Sequence, residues 1–165
     1  MRSTIRFGTA LALSLTLAAV TEAGAGDALP TKPVLTLEAA RRVAHAAEAE
    51  AMRRGLGVVV AVMDDSGTLV VLERLDDTQL ASVDVAIAKG RTAAIFRRPS
   101  GVFEDQVANG RVAALALPGA AALRGGVPLT HQGRVIGAIG VSGDSPTVDE
   151  EIASAGAAAL NEVSQ

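Results

Sequence analysis

Beyond its first 25 residues, the 165-residue chain offers four imidazole or thioether side chains able to bind a transition metal: His45, His131, Met52 and Met63. It has no cysteine, tyrosine or tryptophan, which excludes thiolate and phenolate ligation, disulfides and a nucleophilic thiol. Met63 lies in an unbroken apolar run and reads as core. His131 begins a His-Gln-Gly turn, where a solvated turn residue is the simpler reading and a metal ligand the alternative. His45 has the more suggestive neighbours. At 100° per residue Met52 falls within about 20° of it, and Arg41 and Glu48, at i−4 and i+3, flank the same helix face. A nitrogen donor, a sulfur donor and a guanidinium that could hold an anion therefore share one stripe. The plain alternative is a solvated or subunit-facing surface.

Lys89 is the second residue of interest. Val85, Ala88, Thr92 and Phe96 mark an apolar helix face, and Lys89 falls just inside its edge. A lysine there either snorkels outward or reaches a buried acceptor, and an anion contact would be its functional use. Gly125-Gly126 predicts a tight backbone turn that only glycine tolerates. Other chemistries find no support. There is no serine-histidine-acid arrangement, no HExxH and no clustered zinc spacing. The pairs Asp64-Asp65, Asp76-Asp77 and Glu104-Asp105 are sequence neighbours and read as turn or surface acids.

These residues need elements to position them. Thr36 predicts an N-cap for a helix over 37–54, with Ala40, Val43, Ala44, Ala47 and Ala51 on one buried stripe and Gly55 at its end. Strands over 58–63 and 69–75 flank the Asp64-Asp65-Ser66-Gly67 turn and form a hairpin. A second helix spans 81–96 and stops at Pro99; a short one is expected over 102–107. Strands over 127–130 and 135–142 form another hairpin, the last strand apolar or small on both faces and so covered on both. A final helix starts at Ser145-Pro146, with Thr147 and Glu150 spaced as a capping box, and runs to about residue 162. Gly137, Gly140 and Gly143 do not make a dinucleotide loop, because Gly137 and Gly140 lie inside a strand. Helix, hairpin, helix, hairpin, helix is the order of an α+β domain whose largely antiparallel sheet is covered by helices.

Residues 1–25 read as a signal peptide. Arg2 and Arg6 precede an uncharged apolar stretch from Phe7 to Val20, and Ala23-Gly24-Ala25 offers a small-x-small cleavage site. Fourteen residues fall short of the ~20 that a membrane-spanning helix needs. A periplasmic or secreted protein is expected, with residues 26–34 as a tether and 35–163 as one domain. Cleavage leaves 13 basic against 17 acidic groups, so no membrane span and no basic surface for nucleic acid are expected. Three phenylalanines as the whole aromatic content build no base-stacking platform.

Leu123-Arg124-Gly125-Gly126-Val127-Pro128-Leu129, then Gly133 and Val135 to Gly143, followed by Asp149-Glu150 and Ala155-Gly156-Ala157, resemble the C-terminal half of the GlcG/HbpS-like family. Ala61-Val62-Met63-Asp64, Gly67, Arg74-Leu75-Asp76 and Lys89-Gly90-Arg91-Thr92-Ala93 resemble its N-terminal half, so the likeness covers nearly all of 35–160. Two places depart from the family's usual pattern. Gly90 stands where alanine is more common, and Asp76-Asp77 replaces an aspartate-glycine turn.

The resemblance implies a profilin-like fold, assembly into homo-oligomers, and haem as a ligand. Haem iron takes a nitrogen, sulfur or phenolate ligand, so His45 or His131 would supply the iron's partner. Met52, Arg41, Lys89, Gly125 and Gly126 are then expected around the cofactor, at a surface or subunit interface. Two other readings follow from the same family. One is an accessory enzyme acting on a small organic acid in a polar pocket near Lys89, Arg74 and Gly126; the other is a ligand-free partner of a sensor protein. An alanine-rich first helix and a last strand apolar on both faces also predict partner subunits as cover for apolar surface.

Overall fold

Five small residues decide where the first helix sits. Ala40, Val43, Ala44, Ala47 and Ala51 are fully buried along one side of α1 (Leu37–Arg53), whose start is capped by the Thr36 hydroxyl accepting the Ala39 N–H at 3.2 Å. The structure, a computed structural model, describes residues 29–160, so the expected signal peptide lies outside the described residues. From residue 32 onward the chain forms one unit.

Two hairpins build a single four-stranded antiparallel sheet. Strands β1 (Val59–Asp64) and β2 (Leu69–Arg74) form the first, β3 (Gly126–His131) and β4 (Arg134–Ser142) the second, and the order across the sheet is β2-β1-β4-β3. Ala61 pairs with Leu72 on one side and with Gly140 on the other. Helices α2 (Ser82–Phe96) and α3 (Gly101–Ala108), a 3-10 turn over Val112–Ala116, and α4 (Pro146–Ala158) complete the α+β unit.

The strand alternation sorts the sheet into two cores. Val58, Val60, Val62, Ile139 and Val141 face α1 and α4, while Val59, Ala61, Met63 and Ala138 face α2. Met63 is therefore core, as its position implied. Both faces of β4 are buried under the chain's own helices, and residues 136–142 need no partner subunit to cover them. The alanine stripe of α1 is likewise buried within the fold, so neither element calls for a partner subunit.

The layers approach closely because their contact residues are small. A Cβ added at Gly140 would overlap the Ala86 carbonyl oxygen and the Gly90 nitrogen, so α2 rests directly on the β4 backbone. Gly140 is thus the residue that lets the helix come this near, and a Cβ on Gly90, a departure from the family pattern, would lie 3.0 Å from the Gly140 nitrogen. On the other face Gly156 of α4 meets Val43 and Ala47 of α1 in the same manner.

Three expectations need correction, and one element is new. The buried side of α2 is Ser82, Ala86, Lys89, Gly90 and Ala93, with Thr92 and Ala94 beside it. Val85 and Phe96 are only half-buried, because glycine and alanine at the contact outrank larger apolar side chains when backbones must touch. No side chain caps α4 through a Thr147/Glu150 box; Ser145 is the N-cap and Pro146 the first helical residue. The helix ends at Ala158 rather than near 162. The 3-10 turn over Val112–Ala116 was not expected.

Candidate functional site

Lys89 and the two glycines come together, but as an interior. Lys89 is 4% exposed and Asp149 1% exposed, with Lys89 Nζ 2.6 Å from Asp149 Oδ2 and 3.1 Å from the Val141 carbonyl oxygen. Lys89 belongs to α2 and Asp149 to the first turn of α4, on opposite faces of the sheet. They meet at the point where β3 has not yet begun. There Gly125 runs at φ +119°, a conformation that L side chains rarely adopt, and a Cβ on it would lie 3.0 Å from Lys89 Nζ. A Cβ on Gly126 would overlap the Lys89 carbonyl oxygen.

Asp149 does more than pair with lysine. Its Oδ1 accepts the Asp144 N–H at 3.0 Å, closing the loop into α4. Burial pushes its carboxyl up, against the opposing pull of the Lys89 ammonium. The buried acceptor is thus an acid of the protein itself. Both charges are matched within the fold, and no free cation remains there for an external anion. Arg74 ends β2, an exposed position on one edge strand, whereas Gly126 opens β3 on the other, so the three residues of the expected polar pocket do not assemble.

Around this centre the neighbouring loops are tied by polar contacts. Ser100 Oγ donates to the Leu123 carbonyl oxygen at 2.6 Å and accepts the Gly126 N–H at 2.8 Å. Arg124 donates to Asp105 at 2.6 Å and to Glu150 at 2.5 Å, while its own N–H is held by Glu104 at 2.8 Å. Asp77 takes φ +61°, the conformation that the family's usual glycine would adopt, which an aspartate tolerates better than most residues.

The α1 face lies elsewhere and opens to solvent. The His45 side chain is 65% exposed, Met52 is 63% exposed, and Arg41 is exposed one turn before His45. Met52 also lines an open cleft of about 400 Å³ with Leu56, Leu75, Asp76 and Asp77. Edge strand β2 brings Glu73 to His45, with Nε2 to Oε1 at 3.9 Å. Glu48, one turn along α1, lies beside Glu73, and its carboxyl is raised from 4.5 to about 7 by burial, by hydrogen bonding of its protonated form to Glu73 and by the like charge. His131 ends β3 on the other edge, where it lines a 230 Å³ cavity with Arg42, Ile136 and Leu160. It is not part of the His45 group.

Glu73 and Asp149 are the residues that sequence reading missed. Asp149 was visible only as part of a family motif, and Glu73 only as an acid within the second expected strand. No spacing rule joins residue 45 to residue 73 or residue 89 to residue 149.

An open antiparallel sheet covered by helices on both faces, with small residues at the contacts, places the chain among small α+β domains. The chain belongs to the HbpS-like family, described as haem degrading proteins, which matches residues 35–158. It is 39% identical over 114 residues to protein GlcG of Escherichia coli strain K12, covering 69% of this chain and 85% of that one. The crystal structure of a double mutant of Streptomyces reticuli HbpS is 37% identical, covers 88% of this chain and 99% of that one, and superposes with a TM-score of 0.75. A crystal structure of a PduOC:haem complex is 28% identical, covers 78% of this chain and 96% of that one, with a TM-score of 0.71.

Two predictions follow from these geometries. Lys89→Met strands a buried carboxylate and should cost about 3–5 kcal/mol, whereas Lys89→Met with Asp149→Leu should recover most of that loss. Urea unfolding of both variants decides it, and a harmless single substitution would refute the buried pair. Glu48 is the second case. Its folded pKa is raised, so its contribution to stability is complete below about pH 4.5 and is lost as the pH rises through about 7. Glu48→Gln, a mimic of the protonated acid, should therefore gain thermal stability relative to wild type at pH 8 but not at pH 5. An equal offset at both pH values would rule this out.

Proposed function

We propose that the mature protein binds haem on the outer face of α1, with His45 as the iron ligand. The observation that carries this reading is the exposure of His45, Met52 and Arg41 on one face of a rigid helix, in a chain of a family described as haem degrading. The donor chemistry fits: an accessible imidazole is an ordinary haem-iron ligand, and Met52 adds a soft apolar surface beside it. Arg41, one turn before His45, suits a propionate. The PduOC:haem complex shows that a domain of this architecture is compatible with haem. Lys89, Gly125 and Gly126 act in this reading as the interior frame rather than as contacts.

The protein works outside the cytoplasm as a homo-oligomer. Export rests on the charged, apolar and small-residue segments of positions 1–25. Assembly rests on apolar side chains left bare, with Leu80, Val112, Leu115 and Leu123 all exposed. A second subunit would also supply the cover that a flat haem on the open α1 face lacks.

Haemin titrated into the mature protein should give a saturable Soret shift that His45→Ala abolishes and His131→Ala leaves intact. No shift in the wild type would remove haem as the ligand, and a shift unchanged in His45→Ala would remove the site. Protein recovered from the periplasm or medium should begin near Gly26 and scatter light as more than one chain. Retention of residues 1–25 would refute export, and the mass of a single chain would refute assembly.

A further inference from the structure

Among the described residues, Glu48 and Glu73 are the acids that lie grouped with a histidine. Glu38, Glu50, Asp65, Asp149, Glu151 and the Glu104/Asp105/Glu150 group each have a lysine or arginine within 4.0 Å. Glu48 and Glu73, like Asp64, Asp76, Asp77, Asp84 and Asp144, have none among the described residues; unlike those five, they lie next to each other and beside the His45 imidazole, which is 3.9 Å from Glu73. Two carboxylates held together at a half-buried helix–strand seam, beside an imidazole and without a cationic side chain, leave a place for a positive charge.

We propose that His45, Glu48 and Glu73 bind a divalent transition-metal ion of the zinc class. One ligand atom from each lies within 4.8 Å of the others. A tetrahedral zinc with bonds of about 2.0–2.1 Å holds its ligands roughly 3.3 Å apart, so the three atoms need to close by at most about 1.5 Å. Side-chain rotations supply that much, since the His45 side chain is 65% and the Glu73 side chain 35% exposed.

The backbone beneath is set. His45 and Glu48 are i and i+3 on α1, whose opposite side is buried, and Glu73 pairs with Val60 in the sheet. Ligands carried on a packed helix and a paired strand keep their spacing better than ligands on loops.

The ligand set narrows the ion. One imidazole and two carboxylates suit zinc and its neighbours, whereas calcium takes six to eight oxygens and copper(I) prefers sulfur. Three protein ligands leave one tetrahedral position open, and this face is open to solvent, so water or an anion completes the shell. The proposal does not rest on haem binding, although the two share His45 and would compete for it. Glu73 separates them, because it belongs to the metal set and not to the haem reading.

The test is calorimetric titration of Zn²⁺ into the mature, chelator-treated protein. The expected result is one ion per chain, with affinity reduced at least tenfold by Glu73→Gln and by His45→Ala and unchanged by His131→Ala. Glu73→Gln should leave the haemin Soret shift as in wild type, which isolates the metal site from the haem site. Absence of saturable Zn²⁺ binding, or binding of wild-type strength in Glu73→Gln, would overturn the proposal. Circular dichroism of each variant establishes that the fold is retained, and the exposure of these side chains makes that the expected result.

Discussion

The contact between Lys89 and Asp149 is the constraint on which most of this structure depends. Two charges taken out of water are tolerated only when each is matched and its remaining hydrogen-bonding capacity is used. Here the ammonium is shared between Asp149 and the Val141 carbonyl, and the carboxylate also takes the Asp144 N–H. The pair joins helices on opposite sides of the sheet, so it ties the rotation of α2, the start of β3 and the start of α4 to one another. The Gly125-Gly126 turn follows directly: any side chain at either position would collide with the lysine or its backbone.

Small residues accomplish the rest. With so few aromatic side chains, the protein cannot fill wide gaps between layers and brings the layers together instead. Gly90 against Gly140, and Gly156 against Val43 and Ala47, let helices rest on their neighbours at backbone distance. Close approach maximises dispersion contacts and leaves no void for larger side chains. It also makes the packing intolerant, because a single added methyl group meets a carbonyl oxygen.

The two polar regions have opposite characters. The interior pair is neutralised within the fold and organises it. The α1–β2 surface carries an exposed imidazole, an exposed thioether and two carboxyls without a lysine or arginine partner among the described residues, which is chemistry left available to a ligand. Function is argued from sites rather than from the fold alone, and the open face is the site on which the haem proposal rests.

Periodicity alone was enough to place α1, both hairpins and α2, because each rests on local alternation or a 3.6-residue repeat. Gly55, Pro99 and Ser145-Pro146 marked the ends of elements through equally local backbone preferences. The exposed stripe of Arg41, His45 and Met52 was legible in the same way, as was the core position of Met63. The buried side of α2 was not. Hydrophobicity points to Val85 and Phe96, whereas contact distance selects Ser82, Ala86, Lys89 and Gly90. Nor could spacing reveal that residue 89 meets residue 149 across the sheet, or that the β1–β2 hairpin carries Glu73 to His45. Those contacts depend on how separate elements are stacked, and a linear pattern encodes the face of each element but not the neighbour that the face will meet.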